Sequence, residues 1–255
     1  MAAPPPPAYR GPRAPIRWPG ALCAAALALA AGCSGLRAPR LAADGAAPWQ
    51  IPPSAFGSQR LYRISYSGPR GEGSFRLTLR LAAAERYQVM AVDPVGRALW
   101  SLDVDAERGL WLDHRNRGYC NFEGSFDVAD VPLAPFPLLS LPALLLDRLP
   151  AEPAAPPQVK GRDLTYRDEM ERRWTARLAG DQVESWTLWE EGQPVVLWVR
   201  RDDWSILSDR KQGAQVRWKE VLAEKLPRAL TELAIPSGFE EEDCQARFDS
   251  PDPHL

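Results

Sequence analysis

Asp103, Asp105, Asp113 and His114 lie close together in a chain of 255 residues. Carboxylates beside an imidazole are the raw material of a metal site or an acid–base pair. Against that reading, Asp103 and Asp105 alternate with Val104 next to a turn, where carboxylates are commonly solvated. The only other histidine is His254. Two histidines leave little for a histidine metal site or a catalytic triad. No catalytic residue and no metal ligand is therefore assigned, no cofactor is expected, and the chain reads as a non-enzyme. A formal net charge of −2 offers no basic excess to neutralise phosphates, so no nucleic acid is expected as a partner.

Cysteine is the second chemically capable residue type. Residues 21–31 form a short apolar run, too short to span a bilayer as a helix. Arg10, Arg13 and Arg17 precede it and no acidic residue appears before Asp44. A basic stretch, an apolar core and small residues at its end describe a secretory signal over residues 1–32. The run closes on Leu29-Ala30-Ala31-Gly32-Cys33, which resembles a bacterial lipobox with its leucine four residues before the cysteine rather than three. That resemblance implies cleavage before Cys33 and acylation of its thiol, so that membrane lipid becomes a partner through Cys33. Ser34 follows in place of the aspartate that retains many such proteins in the inner membrane. The expected location is therefore the periplasmic face of the outer membrane, held by a lipid anchor. Cleavage would remove three positive charges and no negative one, leaving no polybasic attraction to anionic lipid. Residues 33–57, rich in Ala, Pro and Gly, read as the acylated cysteine and a tether. Cys23 leaves with the signal, so Cys120 and Cys244 remain. An oxidising compartment favours a bridge between them, and spacing alone leaves two separate buried thiols equally open.

The elements that must position these residues are strands. Between residues 70 and 131 the only proline is Pro94, and between 158 and 226 the only one is Pro194, whereas eight crowd into 132–157. Proline cannot donate to a sheet ladder, so the two poor stretches are sheet blocks and the rich one an insert. Phe75-Arg76-Leu77-Thr78-Leu79-Arg80-Leu81 alternates without a fault, as a half-buried antiparallel strand does. Tyr62/Ile64/Tyr66, Tyr87/Val89/Ala91, Ala98/Trp100/Leu102/Val104, Trp174/Ala176/Leu178, Trp186/Leu188, Val196/Trp198 and Val216/Trp218 repeat the pattern between turn signals. Roughly ten or eleven strands fit over residues 59–235, enough to curl into a barrel or part of one. The insert carries FPLLSLPALLLDRL over 136–149, apolar almost all round, which predicts a helix that must cover something apolar. Ten tryptophans, five of them in alternating strands, can fill a core or line a cavity.

The lipobox, the tether, the meander strands, the turn Asp93-Pro94-Val95-Gly96-Arg97, the leucine-rich insert and the ending Ala234-Ile235-Pro236-Ser237-Gly238-Phe239 together resemble the LolA/LolB lipoprotein-carrier superfamily, its LolB-like branch above all. The resemblance covers residues 58–240 and leaves 241–255 as an acidic, flexible tail. It implies a mainly β fold, an incomplete antiparallel half barrel with the helical insert covering an apolar cavity. Walls would come from Trp100, Leu102, Trp186, Leu188 and Trp198, and a lid from Leu141, Leu144 and Leu145. Pro94, Val95 and Gly96 would form a membrane-insertion loop with Val95 at its tip. The implied function is to accept acylated lipoproteins, or lipid, from a LolA-like periplasmic carrier and help insert them into the outer membrane. The alternative is a lipid-binding or scaffold lipoprotein that transfers nothing. A monomer is the default.

Overall fold

Two meanders meet at one seam. In the computed structural model, which describes residues 46–69, 71–106, 108–123 and 140–244, β1 (Ser58–Gly68), β2 (Gly71–Ala83), β3 (Arg86–Val92), β4 (Ala98–Asp105), β5 (Arg108–Asp113) and β6 (Gly118–Glu123) run outwards from the centre of a sheet. The chain then returns at the far edge and works back through β7 (Gln158–Lys160), β8 (Asp163–Arg167), β9 (Arg173–Ala179), β10 (Gln182–Glu190), β11 (Gln193–Arg201) and β12 (Trp204–Asp209). It closes on β1 with β13 (Ala214–Lys225). A two-residue β14 (Glu240–Glu241) adds a parallel edge to β6. The result is one 14-stranded sheet, ordered β14-β6-β5-β4-β3-β2-β1-β13-β12-β11-β10-β9-β8-β7. Its ends do not pair with each other, so it is open rather than a barrel.

The expectation of ten or eleven strands falls short of this count. Alternation marks the long strands, whereas β7, β8 and β14 have only three, five and two residues, and no strict apolar alternation distinguishes β5, β6 or β12. Where alternation exists it faces inwards: Tyr62, Ile64, Leu77, Leu79, Leu81, Tyr87, Val89, Leu102 and Val104 are buried from the first meander. Trp174, Trp186, Leu188, Trp198, Leu207, Val216 and Trp218 are buried from the second, in the same core. Register shifts at Val183/Ser185 and Leu188/Trp189 keep β10 and β11 in phase with that face, so Trp186 lies opposite Trp198.

The chain between β6 and β7 has to cross from one edge of the sheet to the other. Within it α1 (Leu141–Leu145) buries all five of its residues in the core. The helix is far shorter than the leucine run promised. Asp147 takes a left-handed φ of 57°, which ends it, and residues 136–139 lie outside the described part. Residues 46–57, expected in the tether, belong to the fold: Ala46, Ala47 and Ala55 are buried and Trp49, Ile51 and Phe56 pack on the core. The two segments are tied together by the Leu149 N–H donating to the Pro48 carbonyl at 3.0 Å. Asp147 fastens them to the sheet, accepting from the Ser205 hydroxyl and pairing with Arg200 at 3.3 Å.

After β13 the chain straps the outer face of the first meander. Gln88 donates to the Thr231 carbonyl, and the Leu233 N–H donates to Asp103 at 2.8 Å. Phe239 meets the His114 ring edge-on at 5.7 Å. A disulfide between Cys120 and Cys244 fixes the strap beside β6. Residues 241–244, expected in the flexible tail, are instead held by β14 and by this bridge; 245–255 lie outside the described residues.

Two outcomes are expected. Replacing both Cys120 and Cys244 with alanine releases a loop of 124 residues' separation and should lower the unfolding free energy by about 2–4 kcal/mol in urea. Hydrogen exchange should rise over 231–242, and an unchanged midpoint would mean that the hydrogen bonds alone hold the strap. Burial raises the Asp147 carboxyl above its ordinary range, outweighing the Ser205 hydrogen bond and the Arg200 charge. An acid whose folded pKa is raised stabilises the fold most when protonated, so wild type should lose stability relative to Asp147→Asn as pH rises above the ordinary aspartate pKa of about 4. A constant difference between the two chains would refute that assignment.

Candidate functional site

The β3–β4 turn is built around one carboxylate. Asp93 Oδ1 accepts from the Val95 N–H at 3.0 Å and the Arg97 N–H at 2.9 Å, and Oδ2 accepts from Arg97 Nε at 2.6 Å. The Asp93 N–H donates to the Arg97 carbonyl at 2.9 Å and the Gly96 N–H to the Asp93 carbonyl at 3.0 Å. Desolvation pushes the Asp93 carboxyl up, but the Arg97 backbone N–H and guanidinium outweigh it and hold the group below the usual carboxylate range. Gly96 sits at φ 92°, where an L side chain is strained and glycine is not. The brace leaves Val95 at the apex with 77% of its surface exposed. Arg76 donates to the Pro94 carbonyl at 3.4 Å, which puts a second guanidinium beside the tip.

The expected wall residues do not form an open cavity. Leu102, Trp186, Leu188 and Trp198 are buried in the packed core, and Trp100 is half-buried, stacked on Trp111 at 4.7 Å. Aromatic rings run in a row across the second meander. Tyr166 stacks on Trp174 at 6.2 Å, Trp174 meets Trp186 at 5.4 Å, and Trp186 stacks on Trp198 at 6.2 Å. Leu141, Leu144 and Leu145, the expected lid, come together as buried members of this core. The buried indole N–H groups of Trp198 and Trp218 find no acceptor among the described residues.

One cavity of about 500 Å³ opens beside the lid, lined by Trp49, Ile51, Ala84, Ala143, Leu149 and Ala151 among others. A second of about 420 Å³ lies under the strap on the outer face, where Arg86, Asp103, Leu110 and Ile235 contribute. Both fall within the roughly 300–1,000 Å³ of small-molecule sites. Neither is lined by the five expected wall residues.

The acidic residues are dispersed among structural tasks. Asp103 pairs with Arg86, accepts from Gln88 at 3.2 Å and anchors the strap. Asp105 is largely exposed, 3.9 Å from Arg86. Asp113 caps its own turn through the Arg115 and Asn116 N–H groups at 2.9 and 3.1 Å. His114 Nε2 lies 2.8 Å from the Ser101 hydroxyl, and burial pushes its pKa down against the raising effect of Asp113. Among the described residues no group of three or more His, Cys, Asp or Glu is placed to hold a metal ion. Cys33 lies outside the described residues.

Sequence reasoning missed the Asp147 anchor and a second carboxylate-braced turn. The latter runs Asp168-Glu169-Met170-Glu171-Arg172 between β8 and β9. Its signal was present in the recurrence of aspartate and arginine four residues apart around a central apolar residue.

No family model matches the chain and no curated protein matches it. Solved structures similar to it include a LolA superfamily protein from Nitrosomonas europaea, at 10% identity over 72% of this chain and 90% of that one, with a TM-score of 0.46. A putative outer membrane lipoprotein-sorting protein domain from Vibrio parahaemolyticus is 7% identical over 68% and 86%, with a TM-score of 0.41. A DUF1329 family protein from Desulfovibrio piger is 8% identical over 68% and 87%, with a TM-score of 0.45. Likeness at this level assigns neither a family nor an activity to this chain.

Proposed function

We infer that this protein is a LolB-like outer-membrane lipoprotein that accepts acylated lipoproteins, or lipid, in its apolar interior and helps insert them into the membrane. Residues 1–32 serve as the signal, Cys33 carries the acyl anchor and the chain up to residue 45 is the tether. The observation that carries the reading is the braced β3–β4 turn. A hydrogen-bonded scaffold holds a valine out into water between two arginines, a fixed apolar tip flanked by cations that suits a head-group layer. Burying that side chain in lipid would contribute about 1.5–3 kcal/mol at most.

No bond breaks in such a transfer. Cargo acyl chains would displace Leu141, Leu144 and Leu145 from the wall formed by Leu102, Trp186, Leu188 and Trp198, one apolar contact replacing another. Ester carbonyls of the cargo would meet the Trp198 and Trp218 indole N–H groups, whose burial without an acceptor costs about 1–3 kcal/mol each. The donor would be a LolA-like periplasmic carrier. A second reading keeps the fold and drops the transfer: a lipid-binding or scaffold lipoprotein. The filled lid favours it, because the interior holds protein side chains where a carrier would hold cargo.

The test mixes the full chain bearing Cys33→Ala with a carrier loaded with a labelled lipoprotein from the same cell. The label is expected to move to the chain. The acylated protein should then pass it to liposomes, and Val95→Glu should slow only this last step, by about tenfold for 1.4 kcal/mol of lost insertion. No label on the chain, from a demonstrably active carrier, would sink the transfer reading and leave the scaffold reading in its place.

A further inference from the structure

The turn between β8 and β9 reproduces the Val95 turn bond for bond. Asp168 Oδ1 accepts from the Met170 N–H at 3.0 Å and the Arg172 N–H at 2.9 Å, and Oδ2 accepts from Arg172 Nε at 2.8 Å. The Asp168 N–H donates to the Arg172 carbonyl at 3.2 Å and the Glu171 N–H to the Asp168 carbonyl at 3.0 Å. Glu171, in the place of Gly96, takes a left-handed φ of 59°. Asp168 gains one further donor, Trp174 Nε1 at 2.9 Å, which ties the turn to the aromatic row. At the apex stands Met170, 63% exposed.

Both turns project from the same end of the sheet. Arg173 lies opposite Trp189, Val196 opposite Asp209, Gln215 opposite Ser67, Ser67 opposite Glu72 and Arg76 opposite Val92. Followed from strand to strand, this register brings the β8–β9 and β3–β4 turns to one rim. Six strands separate β3 from β9, a distance of about 34 Å measured along the sheet. Three other turns at this rim carry polar residues: Asp113 to Asn116, Glu190 to Gly192 and Asp209 to Gln212.

We propose that Met170 is a second membrane-contacting tip, which together with Val95 sets this rim of the sheet flat against the lipid head-group layer. The inference rests on the membrane-facing reading of the Val95 turn. One inserted side chain on a tethered domain is a pivot, whereas two at separate points of one rim fix its tilt. Methionine, flexible and apolar, suits an irregular lipid interface. Acidic and basic residues balance over 167–173, with three of each. Arg167 donates to the Glu171 carbonyl at 2.7 Å. The tip therefore carries no net charge that would bar it from mixed phosphatidylethanolamine and phosphatidylglycerol.

The test uses the full acylated chain, reconstituted in vesicles of those two lipids. An environment-sensitive fluorophore is placed on Met170→Cys, on Val95→Cys and, at the opposite end of the sheet, on Glu85→Cys in the β2–β3 turn, and quenched by lipids bearing a nitroxide near the glycerol. The parent chain labelled in the same way supplies the background, and urea midpoints show that each variant folds. Quenching at 170 and 95 but not at 85 is expected, together with about a tenfold loss of cargo delivery to vesicles in Met170→Glu. Quenching at 95 alone overturns the Met170 tip and leaves the Val95 reading standing. Quenching at 170 alone overturns the Val95 reading and, with it, the two-point seating. Quenching at neither overturns both. A fluorescence change at 170 that requires added carrier and resists lipid quenching puts a protein on the turn and also overturns the proposal.

Discussion

Covering the apolar face of one very wide sheet is the constraint on which the rest of this structure depends. Buried side chains from both meanders share a single core, so the face cannot be left to water anywhere along its width. A sheet of this size meets the demand by curling towards itself, and something must fill what the curl leaves open. The filler is the chain that topology forces across the sheet. After β6 it has to reach the opposite edge to begin β7, and the leucines of α1 are carried over the core on that path. The N-terminal residues 46–57 complete the cover.

The same geometry divides labour between the two ends of the strands. At the end where β1 and β12 begin, Asp147 fastens the leucine segment to Ser205 and Arg200, and the Gly57 N–H donates to the Leu81 carbonyl. At the opposite end stand the two aspartate-braced turns. Each uses one carboxylate to satisfy two backbone N–H groups and a guanidinium, which fixes the apex chiefly from within the turn. A segment held by few polar links and apolar contacts can leave; a turn braced by five hydrogen bonds keeps its shape while something leaves.

Much of the fold was legible because antiparallel strands with one wet face write their orientation into the sequence. Leu77, Leu79 and Leu81 point inwards as their alternation required, and so do Tyr87 and Val89. Legibility failed where burial came from outside the strand. Gln88, Ser101 and Asp103 occupy the outward face and are buried all the same, because the strap covers them or their neighbours; nothing in β3 or β4 announces a strap. The leucine run overstated the helix for a comparable reason. Apolar content measures how much must be buried, and the left-handed turn at Asp147 decides how much of it is helical.

By itself, then, the sequence determined the inward and outward face of each long strand, the division into two sheet blocks and an insert, and the tight turn that exposes Val95. These depend on period and on local dihedral demands, which a few neighbouring residues settle. Only the tertiary structure decided that the blocks join through β1 and β13, that the insert packs into the core, that Cys120 meets Cys244, and that the Val95 and Met170 turns share a rim. Each of these is a meeting of residues far apart in the chain. Such a meeting is fixed by the order and register of whole strands, and no local pattern encodes that order.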